Sequence, residues 1–194
     1  MIAKLAIDGG EKVRSTPYPG RTPFGSREEE LLLQAVRSQN LFGKSGTMVK
    51  DFEKQIADFY GTDFAQASTS GTAAIHTAVG VVNPEPGDEI ITAPITDPGS
   101  VMPILMQHAV PVFADVDPLT LNMLPESIEA NITDRTRAII LVHLFGHPCD
   151  IDPVVSIAQK HDLILIEDCC QTHATRYKGR YAGAFGQMGC FSLQ

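Results

Sequence analysis

Basic residues are scarce in this sequence. Its 194 residues include 15 Lys and Arg against 23 Asp and Glu, which gives a formal net charge of −8. Proteins that bind nucleic acids through phosphates need clustered positive charge, and no run of Lys or Arg of that kind is present. The composition therefore argues against a nucleic-acid partner.

Long apolar runs are missing as well. No stretch approaches the roughly 18 to 20 residues that a membrane-spanning helix needs. The opening segment MIAKLAIDGGEK also lacks the apolar region of a signal peptide. We therefore predict no membrane partner and expect a cytoplasmic protein.

Cysteine is limited to four residues, and their spacing is not typical of metal or redox sites. Cys149, Cys169, Cys170 and Cys190 form no C-x-x-C pair and no zinc-type spacing with His. Neighbouring cysteines at a strand end point in opposite directions, so a disulfide between Cys169 and Cys170 would be strained. We expect free, mostly buried thiols and no metal site.

The N-terminal segment contains several Gly and Pro without any period, which predicts an extended arm over residues 1–25, lying on the surface or on a partner subunit. Ser26 and Glu29 fit a capping box, so a helix should begin there and end near Asn40. Its apolar face would comprise Leu31, Leu32, Ala35 and Val36.

A second amphipathic helix is predicted from about Thr47 to Tyr60, ended by Gly61. Its spacing of apolar residues follows the helical period. The residues expected to face inward are Phe52, Ile56 and Phe59.

Beyond this helix, short apolar runs alternate with helical patterns. The apolar runs are DFAQAS, DEIITAP, VPVFADV, RAIILVHL and DLILIED, and the helical patterns are GTAAIHTAVGVV, GSVMPILMQHA, PESIEANI and DPVVSIAQKH. Apolar strands separated by helices are typical of a parallel sheet covered on both sides. We therefore predict an α/β fold, followed by a hairpin in ATRYKGRYAG and a last short strand in GCFSL.

Polar residues cluster directly after these apolar runs. In open α/β sheets, ligands bind beyond the carboxyl ends of the strands, so these residues are the candidates for a site. His143 and His147 could line it, although ordinary hydrogen-bonded roles are the simpler interpretation. The segments concerned are residues 68–72, 94–97, 115–117, 143–146 and 167–171.

The segment STSGTAA leads into a helix whose first turn consists of small residues. The N–H groups of Gly71, Thr72 and Ala73 would be accessible at the positive end of the helix dipole and could bind a phosphate. The alternative is that Ser70 or Thr69 only caps the helix. Neither a Walker loop nor a dinucleotide-binding glycine motif is present.

Asp168 ends the buried run LILIED, where a carboxylate is costly unless a positive or hydrogen-bonding group meets it. A local salt bridge or turn cap would suffice, and so would a protonated pyridine nitrogen, which a carboxylate keeps charged. Together with the phosphate site, Asp168 and the nearby Gln171 suggest one ligand with a phosphate at one end and a pyridine at the other. Pyridoxal phosphate has this shape.

Six motifs occur in the order TSGTAAI, GDEIITAP, PVFADVDPLTLNM, TRAIILVHLFGHPCDID, LILIEDCCQTHATRYKGR and GCFSL. Jointly they resemble the DegT/StrS-like aminotransferases, fold type I pyridoxal-phosphate enzymes that aminate keto sugars and keto cyclitols. The resemblance implies a mostly parallel central sheet with helices on both faces. It also implies that residues 26–194 form the cofactor-binding large domain, with the Schiff-base lysine and the small C-terminal domain beyond Gln194.

The resemblance implies a role for individual side chains. Asp168 would pair with the pyridine nitrogen, and Gln171 would contact the phenolic oxygen of the ring. The groups that would hold the phosphate are Gly71, Thr72, Ala73 and the hydroxyl of Ser192.

The sequence departs from the family pattern in PITDPGS. Much of the family has an aromatic residue after the threonine, where it stacks on the cofactor ring, whereas this chain has Asp97. A carboxylate cannot stack in that way. Two interpretations follow: Asp97 contacts hydroxyls or amines of the substrate instead, or another residue covers the ring. Lys178 lies in the predicted hairpin and does not replace the Schiff-base lysine.

The resemblance also implies the reaction of the complete protein. It would transfer an amino group from glutamate or glutamine, held in between as pyridoxamine phosphate, to a keto sugar linked to a nucleotide or to a keto cyclitol, as in amino sugar biosynthesis. Related dehydratases use pyridoxamine phosphate and carry histidine in place of the lysine, so dehydration is an alternative. A module that binds without turnover is another. Fold type I enzymes are usually dimers, which implies a homodimer.

Overall fold

The computed structural model describes residues 4–18, 20, 24–43 and 45–193, and the chain divides into two compact units, Met1–Met48 and Val49–Gln194. Residues 1–3, 19 and 21–23 of the expected arm lie outside the described residues. The assignment of residues 26–194 to one cofactor-binding domain stays a prediction.

In the first unit, helix α1 spans Ser26–Arg37 and therefore ends before Asn40. Its N-cap is Gly25, whose N–H donates to Glu28 Oε2 at 2.7 Å. The predicted capping box with Glu29 is wrong by one residue, because glycine can serve as an N-cap and Glu28 then stands at the third helical position.

The apolar face predicted for α1 is not buried. Leu32 is 67% exposed and Val36 is 58% exposed. An apolar helix face is buried only where another element lies against it. Among the described residues that precede α1, the regular structure is one 3-10 helix at Ala6–Asp8, which has no buried residue.

Helix α2 spans Met48–Tyr60 and ends at Gly61, as predicted. Gly61 has a left-handed φ of +71°, and its N–H donates to the Ala57 carbonyl at 2.9 Å. Phe52 and Phe59 were expected to face inward but are half-exposed, although the ring of Phe59 stacks on Tyr181 with centroids 4.8 Å apart.

The second unit is built on a parallel sheet. Its strands are β1 Glu89–Thr92, β2 Val110–Phe113, β3 Thr136–Val142, β4 Ile164–Asp168, the hairpin strands β5 Arg176–Tyr177 and β6 Arg180–Tyr181, and β7 Met188–Cys190. The sheet order is β2-β1-β3-β4-β7, and all four pairings are parallel. This confirms the predicted mostly parallel α/β fold.

The central strands explain why the sheet is stable. Strands β3 and β4 lie side by side in the middle and carry side chains with almost no exposure, including Ile139, Ile140 and Ile166. Burial of such side chains contributes roughly 1.5 to 3 kcal/mol each relative to exposure. Edge strand β2 differs, since Val110 and Phe113 are nearly half-exposed.

Four helices of this unit pack around the sheet. They are α3 Gly71–Val82, α4 Pro98–Met106, α5 Pro125–Ala130 and α6 Ile151–Lys160. Helix α3 precedes β1, and the other three connect consecutive strands from β1 to β4. Helix α3 packs against α4, and α5 packs against α6. None of the helices in the described part of the chain has the length and apolar character needed to cross a membrane.

The apolar run DFAQAS adopts no regular secondary structure. A strand needs a neighbouring strand to pair its backbone groups. Here the Glu53 carboxylate pairs one of these backbone groups, because its Oε1 accepts a hydrogen bond from the Ala67 N–H at 2.8 Å. The same oxygen accepts a hydrogen bond from the Gln66 side chain, also at 2.8 Å. The hairpin expected around Lys178 is present as β5 and β6.

Candidate active site

A cavity of about 270 Å³ lies beyond the carboxyl ends of the strands, formed by segments that follow β1, β4 and β7 and by the first turns of α3 and α4. Of the polar segments singled out from the sequence, residues 115–117 and 143–146 do not line it, and neither does His147. The lining residues are Ser70, Gly71, Thr72, Ile75, Asp97, Gly99, Ser100, Asp168, Cys170, Gln171 and Ser192. All the expected site residues except Ala73 are therefore brought together.

Asp168 is the last residue of β4 and is 4% exposed. Its Oδ2 accepts a hydrogen bond from Ser100 Oγ at 2.6 Å, and its Oδ1 accepts from the Cys170 N–H at 3.0 Å. The turn-cap interpretation is thus correct, whereas no salt bridge to Asp168 occurs among the described residues. Both donors are neutral, and among the described residues no Lys or Arg lines the cavity. The carboxylate can therefore still pair with a cationic ligand group.

The start of α3 is capped by Ser70, as the alternative interpretation of STSGTAA predicted, while phosphate binding there stays a prediction. Ser70 is the N-cap, and its hydroxyl accepts from the Ala73 N–H at 3.0 Å. The first main-chain bond of the helix joins the Ala74 N–H to the Ser70 carbonyl. The N–H groups of Gly71 and Thr72 precede that bond, and both residues line the cavity. An anion in the cavity can therefore accept hydrogen bonds from these N–H groups.

Gly71 permits close packing at this point. A Cβ on Gly71 would lie 2.7 Å from both Cys170 Sγ and Ser192 Cβ, closer than real Cβ contacts. The same tight packing brings Ser192, which follows β7, to the helix terminus. A side chain at position 71 would therefore close the cleft in which a phosphate would lie.

Asp97 begins α4 as its N-cap, a role that the sequence analysis missed. Its Oδ1 accepts from the Gly99 N–H at 2.8 Å, and Pro98 occupies the first helical position. A Cβ on Gly99 would lie 2.5 Å from Thr72 Oγ1 and 2.9 Å from Asp97 Oδ1. The Asp97 carboxylate thus stands next to the Thr72 hydroxyl at the exposed rim of the cavity.

Gln171 has a defined orientation. Its Oε1 accepts from the Phe145 N–H at 3.1 Å, and within the described chain its amide nitrogen has no hydrogen-bond partner. The amide hydrogens are therefore available to donate to a ligand. Phe145 adopts a left-handed φ of +52°, which is uncommon for an aromatic residue and directs its N–H toward Gln171.

Glu167, next to Asp168, is fully buried and was missed as a functional residue. Its Oε2 is 3.1 Å from His143 Nε2 and accepts from the Gly183 N–H at 2.8 Å, and its Oε1 accepts from the N–H groups of Phe185 and Gly186 at 2.6 and 2.7 Å. Burial raises the pKa of Glu167, but the hydrogen bonds from His143, Gly186 and Gly183 outweigh it and lower the pKa overall. Glu167 is therefore a buried carboxylate. A charged residue at the end of an apolar strand was the available signal.

The same region resembles a metal site only superficially. His143, Glu167 and Cys169 offer ligand atoms within 4.8 Å of one another. However, both Glu167 oxygens already accept N–H groups, and burial raises the pKa of the Cys169 thiol, so it keeps its proton. The geometry favours a hydrogen-bond network over a cation site. All four cysteines are free, as expected.

We predict opposite effects for two glycine substitutions in α3. Gly71→Ala should lower the unfolding free energy by about 1 to 3 kcal/mol, because the added Cβ overlaps Cys170 and Ser192. Gly80→Ala is the matched control, since no atom lies within 4 Å of its Cβ position, and it should gain about 0.5 to 1 kcal/mol. Urea denaturation of both variants measures the difference. Equal effects would contradict the close packing at Gly71.

We also predict that Glu167 makes stability depend on acid pH. The pKa of Glu167 is lower in the folded chain than in the unfolded chain, so the unfolded chain takes up a proton at Glu167 first as pH falls. The contribution of Glu167 to the unfolding free energy is therefore complete above about pH 4.3, the usual pKa of a Glu side chain. It is lost as pH falls through the folded pKa. Glu167→Gln should cost about 2 to 4 kcal/mol at pH 7. Below pH 4.3 the variant should show a shallower loss of unfolding free energy than the wild type. Parallel curves would show that Glu167 does not titrate in this way.

Comparison with known proteins agrees with this geometry. The model of the DegT/DnrJ/EryC1/StrS aminotransferase family matches residues 24–194. L-glutamine:2-deoxy-scyllo-inosose aminotransferase from Streptomyces fradiae is 36% identical over 200 residues, which cover 100% of this chain and 47% of the relative. The X-ray structure of the aminotransferase from Psychrobacter cryohalolentis matches with a TM-score of 0.84 and 37% identity, over 90% of this chain and 44% of that one.

The solved structure of an enzyme with a different reaction is similarly close. E. coli GDP-4-keto-6-deoxy-D-mannose-3-dehydratase with bound hydrated PLP matches with a TM-score of 0.82 and 29% identity, over 90% of this chain and 46% of that one. The present chain thus spans about half the length of the relatives it matches. The family match nevertheless extends over most of the chain. The chain belongs to the DegT/DnrJ/EryC1/StrS aminotransferase family.

Proposed function

We propose that the complete protein is a pyridoxal-phosphate-dependent aminotransferase that transfers an amino group from glutamine or glutamate to a ketone of a nucleotide-linked sugar or a cyclitol. One observation carries this proposal. The buried Asp168 carboxylate, bound by neutral donors, shares a cavity with the start of α3, where the Gly71 and Thr72 N–H groups have no hydrogen-bond partner in the described chain. These are the two contacts that a phosphorylated pyridine requires.

Asp168 would accept a hydrogen bond from the protonated ring nitrogen. Ser100 and the Cys170 N–H hold its carboxylate in place, and Asp168 itself is largely shielded from water, which strengthens charge pairing. When bound, the protonated pyridine supplies an electron sink for breaking a C–H bond beside the transferred amine. The amide N–H of Gln171 would donate to the phenolic oxygen and fix the rotation of the ring.

The phosphate would lie at the first turn of α3. We assign it to the N–H groups of Gly71 and Thr72 and to the hydroxyl of Ser192, all at the cavity. The helix dipole favours an anion there, and the part of the chain that the structure describes contributes no Lys or Arg to the lining. The proposed contact from Ala73 needs its N–H to leave the Ser70 hydroxyl or to be shared between two acceptors.

Glutamine is the preferred donor and a cyclitol or sugar ketone the preferred acceptor, because the Streptomyces fradiae relative is an L-glutamine:2-deoxy-scyllo-inosose aminotransferase. Pyridoxamine phosphate would carry the amine between the two. Sugar dehydration is the second candidate, favoured by the similarity to the E. coli dehydratase. Lysine at the position that forms the Schiff base would favour amino transfer, and histidine would favour dehydration.

A homodimer in the cytoplasm completes the proposal. Helix α4 and edge strand β2 contact each other and leave large apolar side chains about half-exposed, including Leu105, Met106 and Phe113. Apolar surface of this kind is typical of subunit interfaces. Four free thiols fit a reducing compartment.

Asp168→Asn in the complete protein tests the function. The amide keeps the shape of the side chain but cannot hold the ring nitrogen in its charged form, so kcat should fall about 100-fold or more. Steady-state transamination from glutamine measures this effect. Asp152→Asn, a surface substitution on α6, is the matched control and should leave kcat unchanged. Full activity of Asp168→Asn would refute the proposed ring contact.

Asp97 is tested by a pair of substitutions. Asp97→Asn retains a capping side chain but removes the charge, whereas Asp97→Ala removes both and should cost a further ~1 kcal/mol of stability. If Asp97 contacts the substrate, both variants should lower kcat/KM for the ketone about tenfold while the dissociation constant of pyridoxal phosphate changes much less. Unchanged turnover in Asp97→Asn would leave this residue with its capping role alone.

A further inference from the structure

A buried hydrogen-bond network lies directly behind the cofactor-binding segment. His143 is the residue after β3 and has no exposed surface. All of its polar groups are engaged: Nε2 faces Glu167 Oε2 at 3.1 Å, Nδ1 accepts from the Cys149 N–H at 3.1 Å, and its carbonyl accepts from Thr172 Oγ1 at 2.5 Å. Its main-chain N–H donates to the Asp168 carbonyl at 3.1 Å.

These contacts determine the protonation of the imidazole. Because a main-chain N–H donates to Nδ1, that nitrogen must be the unprotonated acceptor. Nε2 then carries the hydrogen and donates it to Glu167. A ring of this kind is neutral, and the single net charge of the pair resides on the Glu167 carboxylate, which also receives the three main-chain N–H groups of Gly183, Phe185 and Gly186.

The network is joined to the cofactor-binding residues at three places. His143 holds the main chain at Asp168, and it holds Thr172, the neighbour of Gln171. Phe145, two residues after His143, supplies the N–H that orients the Gln171 side chain. Residues 168–172 are thus attached to His143 at both ends. Strand alternation places Glu167 and Asp168 on opposite faces, so Glu167 does not line the cavity.

We propose that Glu167 and His143 are positioning residues. The buried carboxylate of Glu167 and the neutral imidazole of His143, protonated on Nε2, hold the segment that presents Asp168 and Gln171 to the cofactor. The inference rests on the proposed function. It assigns both residues an effect on cofactor binding although neither touches the cavity. Misplacement of binding groups by a fraction of an ångström is enough to weaken such contacts.

The first test is the protonation state of His143 in the complete protein. ¹⁵N NMR of histidine side chains should show one ring, assigned by its absence in a His143→Gln variant, as the neutral form protonated on Nε2 at pH 7. A hydrogen on Nδ1, or a doubly protonated ring, would overturn the proposed arrangement. This result does not depend on the cofactor, and the variant serves only to assign the signal.

The second test is the affinity for pyridoxal phosphate of the apo form of the complete protein. His143→Leu and Glu167→Gln should raise the dissociation constant about fivefold or more. His143→Gln should be closer to wild type, because its amide can still donate to Glu167. Ile128→Ala, in the buried core at α5, is the control for lost stability alone, since no residue of α5 lines the cavity, and it should bind normally.

The outcomes separate the two proposals. Wild-type affinity in His143→Leu and Glu167→Gln, with a loss of stability like that of Ile128→Ala, would overturn the positioning role and leave the proposed function intact. Absence of pyridoxal phosphate binding by the wild-type complete protein would refute the function itself. If His143→Leu and Glu167→Gln do not fold, the protonation state of the wild-type imidazole decides the question.

Discussion

Two carboxylates at adjacent positions on the tip of a buried strand are the constraint on which the rest of this site depends. Glu167 and Asp168 point to opposite faces of the sheet, and each must be compensated for the loss of water. Glu167 is compensated within the protein by an imidazole and three main-chain N–H groups. Asp168 is met by a hydroxyl, one N–H and the thiol of Cys170, all of them neutral, which leaves it able to bind a cation.

Two adjacent residues therefore differ in what they contact: Glu167 binds other parts of the protein, and Asp168 faces the cavity. The Glu167 side holds the loop at residues 183–186 and the end of β3, while the Asp168 side opens into the cavity. The helix termini reach the cavity because Gly71 and Gly99 have no side chains. Each glycine lies against a neighbouring segment at a distance that a Cβ would not tolerate. The cavity is therefore lined by main-chain N–H groups and small polar side chains.

Asp97 shows how one residue can satisfy two requirements. As the N-cap of α4 it fulfils a local need that an aromatic residue could not, and its position beside Thr72 also places a negative charge at the rim of the cavity. With Asp168, it gives a cavity to which residues 4–18, 20, 24–43 and 45–193 contribute two carboxylates and no basic side chain. A substrate bearing an amine or several hydroxyls is complementary to such a rim.

The sequence by itself determined the alternation of elements and the identity of the polar residues at the strand ends, because period and residue type are local properties of the chain. It therefore indicated the parallel sheet, the ends of α2 and β4, and the grouping of Gly71, Asp168 and Gln171. It did not indicate that DFAQAS would remain unpaired or that α1 would expose its apolar face. Only the tertiary structure decided those features, together with the His143–Glu167 pair and the capping role of Asp97. Each of these features depends on contacts between segments that are distant in the sequence. Those contacts determine which groups are buried and which hydrogen bonds form, and the local sequence does not.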